Sequence, residues 1–403
     1  MVNYLTGFEC LKCGKQFAPD YGGYVCSACS ENIDALYDYS SISGVFSVAN
    51  LEKDKEKTIW RYDALYPFSD RKYIPNLDMA VTPLYEIPEL EKETGFGTVF
   101  LKDDTRQPSG SFKDRAGAVV MAVAREKGLD MTTCASTGNA GCSWACMGAA
   151  CGVKVIIYVP STAPKAKIAQ LKVYGADVRI VDSNYDGAYD MCVRDSNDND
   201  YFNRCTGYNP FTREGKKSVA FEIWEQLGYK APGTVFVPVG DGNIISGVWK
   251  GFRDLEALGM IEQFPRLIAV QSSNSDAVTK TVEKVRDAGY DKTSIQVETV
   301  KSMTRADSIS VDRPRDGLAA VRAVIETKGE CVRVSDSEII NAIYRIAAVS
   351  GIFAEPAGAA SVAGLIKASS AGLVEDNGEP VVCLITGNGL KDVDAVLKGG
   401  DNE

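Results

Sequence analysis

Residues 234–244 read Thr-Val-Phe-Val-Pro-Val-Gly-Asp-Gly-Asn-Ile. An apolar run typical of a strand leads into a glycine-rich turn, and a helical pattern follows at 244–258. Further strands are predicted at 98–102, 131–135, 153–159, 177–181, 266–271 and 381–385, and further helices at 112–127, 141–151, 163–174, 218–227, 336–350 and 357–368. Such alternation is typical of βαβ units, so we expect an α/β fold with mostly parallel sheets covered by helices on both faces.

The composition limits the chemistry, because the 403 residues include no histidine. Catalytic triads with histidine and metal sites that need imidazole are therefore excluded. Proton transfer must use Lys, Asp, Glu, Tyr, Cys, or a group on a cofactor or substrate. A net charge of −10 argues against a nucleic-acid partner, although a local positive pocket can still bind a small anion. The length allows about two to three domains.

The sequence also predicts the compartment. The first eight residues have neither the basic segment nor the apolar core of a signal peptide, and the apolar runs are too short to span a bilayer. We therefore expect a cytoplasmic protein with reduced cysteines and no membrane partner.

Four cysteines form two Cys-x-x-Cys pairs near the beginning of the chain. Cys10 and Cys13 are separated from Cys26 and Cys29 by twelve residues that include three glycines. This spacing predicts a zinc-ribbon-like segment with a closed, structural metal site. A redox pair and a ribbon without metal are the alternatives. The other eight cysteines are expected to be small core residues.

The segment Pro-Ser-Gly-Ser-Phe-Lys-Asp-Arg at 108–115 opens a predicted helix. Ser111 and Asp114 have the spacing of a capping box. Lys113 then falls in the first turn, where the helix macrodipole disfavours a cation, and such a position suits a nucleophilic amine. A surface lysine paired with Asp114 is equally compatible with the pattern.

Three other turns follow predicted strands. The Ser-Thr-Gly-Asn-Ala-Gly turn at 136–141 suits a carboxylate or phosphate, or is an ordinary helix cap. The glycine turn at 240–244 suits a single phosphate group, because Ile245 stands where a dinucleotide fingerprint needs its third glycine. Thr386 presents a hydroxyl after the last strand, either to a ligand or as a cap.

Together these segments resemble the threonine synthase branch of the fold-type-II pyridoxal-phosphate enzymes, in the tryptophan synthase β superfamily. The resemblance is carried by Ser-Gly-Ser-Phe-Lys-Asp-Arg at 109–115, Ser-Thr-Gly-Asn-Ala-Gly at 136–141, Pro-Val-Gly-Asp-Gly-Asn at 238–243, Gly-Ile-Phe-Ala-Glu-Pro-Ala at 351–357 and Thr-Gly-Asn-Gly-Leu-Lys-Asp at 386–392. The four-cysteine segment and Trp-Arg-Tyr at 60–62 also resemble the longer members.

The resemblance implies an architecture: two doubly wound, mostly parallel αβα domains with the four-cysteine segment in front. The expected divisions are a ribbon-like segment at 1–45, a large cofactor-binding domain at 46–130 plus 215–403, and a small domain at 131–214. A homodimer is the usual assembly of the enzymes that the chain resembles.

The resemblance also implies roles for individual residues. Lys113 would form the Schiff base with pyridoxal 5′-phosphate (PLP) and move protons, Asn139 would bind the phenolic oxygen, and Thr386 would meet the pyridine nitrogen. The cofactor phosphate would be held by Gly240, Asp241, Gly242, Asn243 and Ile244. The amino-acid substrate would be held by Ser136, Thr137, Gly138, Ala140 and Arg213.

The segment 206–217 departs from the family's substrate-phosphate pattern. Thr206 and Gly207 stand for an Asn-Ser pair, and Thr212 stands for an arginine. Arg213 is displaced by one residue, which turns it by about 100° on a helix. Arg204, Lys216 or Lys217 could replace the lost charge, or the substrate carries no phosphate.

The expected activity is therefore a lyase reaction of amino-acid metabolism, the conversion of O-phosphohomoserine to threonine and phosphate. The alternatives are an ammonia-lyase or dehydratase acting on Ser, Thr or diaminopropionate, and a β-replacement enzyme similar to cysteate synthase. A non-catalytic protein that keeps the fold is a third hypothesis. Lys113, Asn139 and the intact glycine turn argue against it.

Overall fold

The computed structural model describes residues 2–163 and 165–397. The strands are β1 Leu5–Cys10, β2 Gln16–Phe17, β3 Ile33–Tyr37, β4 Leu84–Glu86, β5 Val99–Asp103, β6 Met131–Ala135, β7 Lys154–Pro160, β8 Asp177–Val181, β9 Phe202–Asn203, β10 Thr234–Pro238, β11 Arg266–Ser272, β12 Glu330–Val334 and β13 Val381–Ile385. In these described ranges we find no helix with the length and apolar character needed to cross a bilayer.

The α-helices are α1 Tyr39–Ile42, α2 Val48–Lys53, α3 Pro88–Thr94, α4 Lys113–Glu126, α5 Asn139–Cys151, α6 Lys165–Val173, α7 Tyr185–Asp198, α8 Phe211–Lys216, α9 Ser218–Gln226, α10 Asn243–Ala257, α11 Ala277–Ala288, α12 Gly317–Glu326, α13 Asp336–Ser350, α14 Pro356–Ser370 and α15 Val393–Leu397. Short 3₁₀ helices lie at Ile59–Leu65, Arg71–Tyr73, Asp104–Arg106, Asp307–Ile309 and Gly389–Lys391.

The strands form three sheets. The N-terminal sheet is antiparallel, in the order β2-β1-β3. The four-stranded sheet β8-β7-β6-β9 is parallel throughout. The six-stranded sheet β12-β11-β10-β13-β5-β4 is parallel except for β4, which pairs with β5 in the antiparallel direction. The predicted α/β class with mostly parallel sheets is confirmed.

The chain divides into two compact units. The first comprises 1–10, 14–80 and 107–216, and the second comprises 11–13, 81–106 and 217–403. The predicted domain divisions at 1–45, 46–130 plus 215–403, and 131–214 stay a prediction. The first unit contains residues 46–80 and α4 together with the four-stranded sheet, and its last segment ends at residue 216.

Small residues let α14 lie close to the six-stranded sheet in the second unit. A Cβ on Gly364 would lie 2.4 Å from a methyl carbon of Val270 in β11. Strands β10 and β13 are buried at every residue, as expected for central strands of a covered parallel sheet. The close packing fixes the carboxyl ends of β10 and β13, where the glycine turn and Thr386 follow.

Candidate active site

Lys113 is the first residue of α4 and is half-buried. The buried carboxylate of Asp114 holds the turn that precedes it, because it accepts hydrogen bonds from the backbone N–H and the hydroxyl of Ser109, both at 2.6 Å. The predicted capping box of Ser111 and Asp114 is therefore wrong. Asp114 bonds a residue one turn earlier, and no side chain caps the helix. Like the predicted capping box, these hydrogen bonds fix the turn that precedes Lys113.

Buried polar atoms without a partner occur in the segment that precedes this lysine in the chain. Among the described residues, neither end of the Gln107 amide nor the hydroxyl of Ser111 has a hydrogen-bond partner. Such atoms cost free energy in a folded protein unless water or a ligand satisfies them. Gln107 was not predicted as a site residue. Its position next to the 108–115 segment is the signal that could have found it.

The turn at 136–141 leads from β6 into α5. Gly138 is the N-cap residue of this helix and has no side chain with which to cap it. The alternative of an ordinary Ser/Thr/Asn cap is therefore not what the structure shows. Gly141 is required here, because a Cβ would lie 2.2 Å from the Ser136 carbonyl oxygen. The start of α5 thus offers backbone N–H donors and the positive end of a helix dipole to an anion.

Helices α4 and α5 approach each other closely, one turn after their first residues. A Cβ on Gly117 would lie 2.5 Å from the hydroxyl oxygen of Ser143. Lys113 lies four residues before Gly117, and Asn139 lies four residues before Ser143. The first unit therefore carries the predicted lysine and the predicted amide on two helices in close contact.

The glycine turn of the second unit packs against Asp316. Gly242 has φ of +87°, and a Cβ on it would lie 2.7 Å from the carbonyl oxygen of Asp316. The Asp316 carboxylate accepts hydrogen bonds from Asn243 at 2.7 Å and from the Ser246 hydroxyl. Sequence reasoning missed Asp316, which lies about seventy residues away, at the start of α12, with no local motif.

The N-cap residue of α10 is Gly242, which has no side chain, and the first N–H groups of the helix belong to the turn at Gly240–Ile244, as at a phosphate site. A Cβ on Gly240 would lie 2.8 Å from the Ile309 Cα, which explains the small residue. The donors suit one phosphate group, as the sequence predicts.

Thr386 lies at the same edge of the sheet as the glycine turn. Strand β13 pairs with β10 in parallel, with Phe236 opposite Cys383, so the residues after both strands are neighbours in the sheet. Thr386 is buried, and a Cβ on Gly358 of α14 would lie 3.0 Å from its backbone nitrogen. Asp103 pairs with Ile385, and burial raises the pKa of its carboxyl.

Two basic residues of the predicted substrate segment form ion pairs. The Arg213 guanidinium donates to Asp34 at 2.8 Å and to the Ile33 carbonyl at 3.1 Å. Lys217 pairs with Asp254 at 2.7 Å, and both side chains are fully buried. The role of Arg213 as a substrate ligand stays a prediction. Its Nη1 atom donates hydrogen bonds to residues of strand β3.

The sulfur atoms of Cys10, Cys13, Cys26 and Cys29 all lie within 4.8 Å of one another. Four thiolates at such separations suit tetrahedral zinc. The cluster is compatible with the predicted zinc ribbon, and the four ligand assignments stay a prediction.

Comparison with known proteins places the chain in a family. A family model described as "Pyridoxal-phosphate dependent enzyme" matches residues 76–387. The threonine synthase of Methanocaldococcus jannaschii is 37% identical over 394 residues, which are 98% of this chain and 95% of that protein. The threonine synthase of Methanosarcina acetivorans is 33% identical over 392 residues, which are 96% and 93% of the two chains. The chain belongs to the pyridoxal-phosphate-dependent enzymes.

A solved structure of similar fold is a fungal L-serine ammonia-lyase from Rhizomucor miehei, with a TM-score of 0.67 and 20% identity over 80% of this chain and 98% of that one. The predicted resemblance, the PLP cofactor and the class, a PLP-dependent lyase, are confirmed. The residues fit this cofactor. The first unit has an amine at a helix start, and the segment before it contains buried polar atoms with no hydrogen-bond partner among the described residues. The second unit, taken by itself, has a glycine-rich turn at a helix start that suits a phosphate.

Proposed function

We propose that the chain converts O-phosphohomoserine into threonine and phosphate, as a threonine synthase. The observation that supports this most strongly is the 37% identity to a threonine synthase over 98% of the chain. A match of this extent includes both units and all the turns described above.

The proposed roles follow from the chemistry of the side chains. When bound, PLP supplies an electron sink for negative charge that develops on the substrate carbons. The Lys113 amine takes protons from and returns them to those carbons, which requires no histidine. The Asn139 amide holds the phenolic oxygen, and the neutral hydroxyl of Thr386 meets the pyridine nitrogen without fixing a proton on it.

Two helix starts hold the anionic groups in this proposal. The N–H groups and hydroxyls of Ser136, Thr137, Gly138 and Ala140 bind the substrate carboxylate at the start of α5. The turn at Gly240–Ile244 holds the cofactor phosphate at the start of α10. Both helix starts have glycine as the N-cap residue, and the positive end of each helix dipole favours an anion.

A second candidate is an ammonia-lyase or dehydratase acting on Ser, Thr or diaminopropionate, or a β-replacement enzyme similar to cysteate synthase. Thr212 at the expected arginine position and the ion pair of Arg213 with Asp34 favour it. Position 212 carries no positive charge, and the charge of Arg213 is paired with a carboxylate, so neither residue offers a free cation to a substrate phosphate.

A substrate panel separates the two candidates. The holoenzyme is incubated with O-phospho-L-homoserine, O-phospho-L-serine, L-serine, L-threonine and diaminopropionate, and phosphate, ammonia and new amino acid are measured separately. We expect phosphate and threonine from O-phospho-L-homoserine. Ammonia with a keto acid, and no phosphate release, would select the lyase instead.

We also propose that the enzyme is a cytoplasmic homodimer that acts on a small amino acid. Light scattering of the purified holoenzyme tests the assembly, with twice the 43.4 kDa chain mass expected.

A further inference from the structure

Arg204 is a fully buried cation whose hydrogen-bonding capacity is only partly used. Its exposed fraction is 0%, and Nη1 donates to the Thr206 hydroxyl at 2.8 Å. Within 2–163 and 165–397, Nε and Nη2 have no oxygen or nitrogen partner, and no carboxylate pairs with the guanidinium. Arginine keeps its charge at any physiological pH, and an uncompensated buried charge is strongly destabilising.

The nearby thiols do not supply the missing negative charge. The Cys134 thiol lies within electrostatic and hydrogen-bonding range of the Arg204 guanidinium. Its hydrogen bond with Cys205 and its complete burial raise the pKa of the Cys134 thiol well above the ordinary value. Burial likewise raises the pKa of Cys205. Both thiols are therefore neutral at physiological pH, and the guanidinium keeps a net positive charge in its surroundings.

The backbone places this cation at the functional edge of the four-stranded sheet. Strand β9 pairs with β6, with Asn203 opposite Thr133, and the Arg204 N–H donates to the Thr133 carbonyl at 2.8 Å. One residue further, the Ala135 N–H donates to the Cys205 sulfur at 3.2 Å. Ala135 ends β6, so Arg204 lies beside the strand end from which the turn at 136–141 departs.

Other basic side chains of the segment are engaged by carboxylates. Arg213 pairs with Asp34, and Lys217 pairs with Asp254. Arg204 differs from them because its positive charge has no carboxylate partner in the part of the chain that the structure describes. It is also already stripped of water, so an anion that reaches it meets no further cost of desolvating the arginine.

We infer that Arg204, oriented by Thr206, holds the anionic group at the far end of the amino-acid substrate. This inference rests on the proposed function, in which that group is a phosphate monoester. A planar guanidinium with two donors available suits bidentate contact with phosphate oxygens. Arg204, which follows strand β9, thus takes the role of the arginine that is absent at position 212. It sets the specificity for a phosphorylated substrate.

Paired non-reactive ligands test this inference by binding alone. 2-Amino-5-phosphonopentanoate keeps the shape and charge of O-phosphohomoserine but has carbon in place of the leaving oxygen. 2-Aminopentanoate lacks the anionic end. Each is titrated into the holoenzyme while the absorbance of the bound cofactor is followed. In Arg204→Gln, we expect the Kd of the phosphonate to rise about tenfold to a hundredfold and that of 2-aminopentanoate to change less than about twofold.

Matched variants keep the test decisive. Arg204→Lys keeps the charge and should recover part of the phosphonate affinity. If Arg204→Gln does not fold, Thr206→Val and its control Thr206→Ser take its place. We expect only Thr206→Val to weaken the phosphonate selectively. Equal weakening of both ligands, or no weakening, would show that Arg204 is structural and would overturn the inference.

Turnover separates this inference from the proposed function. A wild-type enzyme that prefers the phosphonate through Arg204 but releases no phosphate from O-phospho-L-homoserine would refute the proposed function and leave the anion site standing. If the enzyme makes threonine but Arg204→Gln does not lose affinity for the phosphonate selectively, the proposed function stands and the inference about Arg204 is refuted.

Discussion

The side chains around Lys113 show how single residues place the reactive amine. Ser109 and Ser111 both precede it, but only the Ser109 hydroxyl reaches Asp114. The sequence correctly predicts that Lys113 lies at a helix start and that Asp114 bonds a serine. It names Ser111 as that serine, whereas the structure shows Ser109. Hydroxyl partners depend on the course of the turn, where Gly110 has φ of +79°, and a local pattern does not reveal that course.

Ser109→Ala and Ser111→Ala therefore form a matched pair. Ser109→Ala removes a hydrogen bond to a buried carboxylate, so the free energy of unfolding should fall by about 1–3 kcal/mol. Ser111→Ala removes a hydroxyl with no partner among the described residues, so the stability of the apoenzyme should stay the same or rise. Urea denaturation of the apoenzymes measures both. A larger loss in Ser111→Ala would contradict this picture of the turn.

Among the secondary-structure elements, several apolar strands were predicted, whereas the edge strand β12 and the polar helix α7 were not. The predicted strands at 131–135, 177–181 and 381–385 coincide with β6, β8 and β13. Strand β12 was missed because, at the edge of its sheet, it keeps Glu330 and Arg333 partly exposed. Helix α7 was missed because it is rich in aspartate and buries few residues. Whether such segments form a strand or a helix depends more on their position in the fold than on the propensities of their residues.

The N-terminal sheet is attached to α8 by buried polar contacts. The Tyr37 hydroxyl donates to Glu214 at 2.7 Å, and Arg213 pairs with Asp34. Cys10, Cys26 and Cys29 lie in the first unit with this sheet, whereas Cys13 is counted with the second unit. A structural role for the cluster stays a prediction. The contact with Asp34 gives Arg213 a reason for its position that no substrate pattern could reveal.

Replacing Cys10 and Cys26 with serine tests that role. The wild-type protein should contain about one zinc per chain, and the double variant should lose it and unfold at a lower temperature, because structural zinc contributes to folding directly. Turnover of the folded variant should change little. Atomic emission, thermal unfolding and activity are measured, with Cys151→Ser as the control. Loss of turnover in a variant that is still folded would contradict a structural role.

For the molecule as a whole, buried charges link stability to pH. Asp254 lies between Lys217 and Lys250, and all three side chains are buried. Burial alone would raise the pKa of Asp254, but the two ammonium groups lower it, and the net shift is downward. Its stabilising effect is therefore complete above the unfolded-state pKa of about 3.9 and is lost as the pH falls through the lower folded value.

Asp254→Asn should lower the free energy of unfolding by about 3 kcal/mol at pH 7, because it leaves buried lysines without their counter-charge. Below about pH 4 the difference between the two proteins should shrink, since the Asp254 carboxyl then takes up a proton in the unfolded wild-type chain before it does so in the folded one. Urea denaturation across the pH range measures this. Two stability curves that stay parallel into acid would contradict the assignment.

The central claim is that Lys113 is the amine that binds PLP and moves protons. The most direct measurement is borohydride reduction of the holoenzyme followed by peptide mass spectrometry, with Lys113→Ala and the exposed Lys154→Ala as matched variants. We predict a stable pyridoxyl group on the peptide containing Lys113, its absence in Lys113→Ala, and a turnover lower by at least about a hundredfold only in that variant. A pyridoxyl group on another lysine, or normal turnover by Lys113→Ala, would contradict the claim.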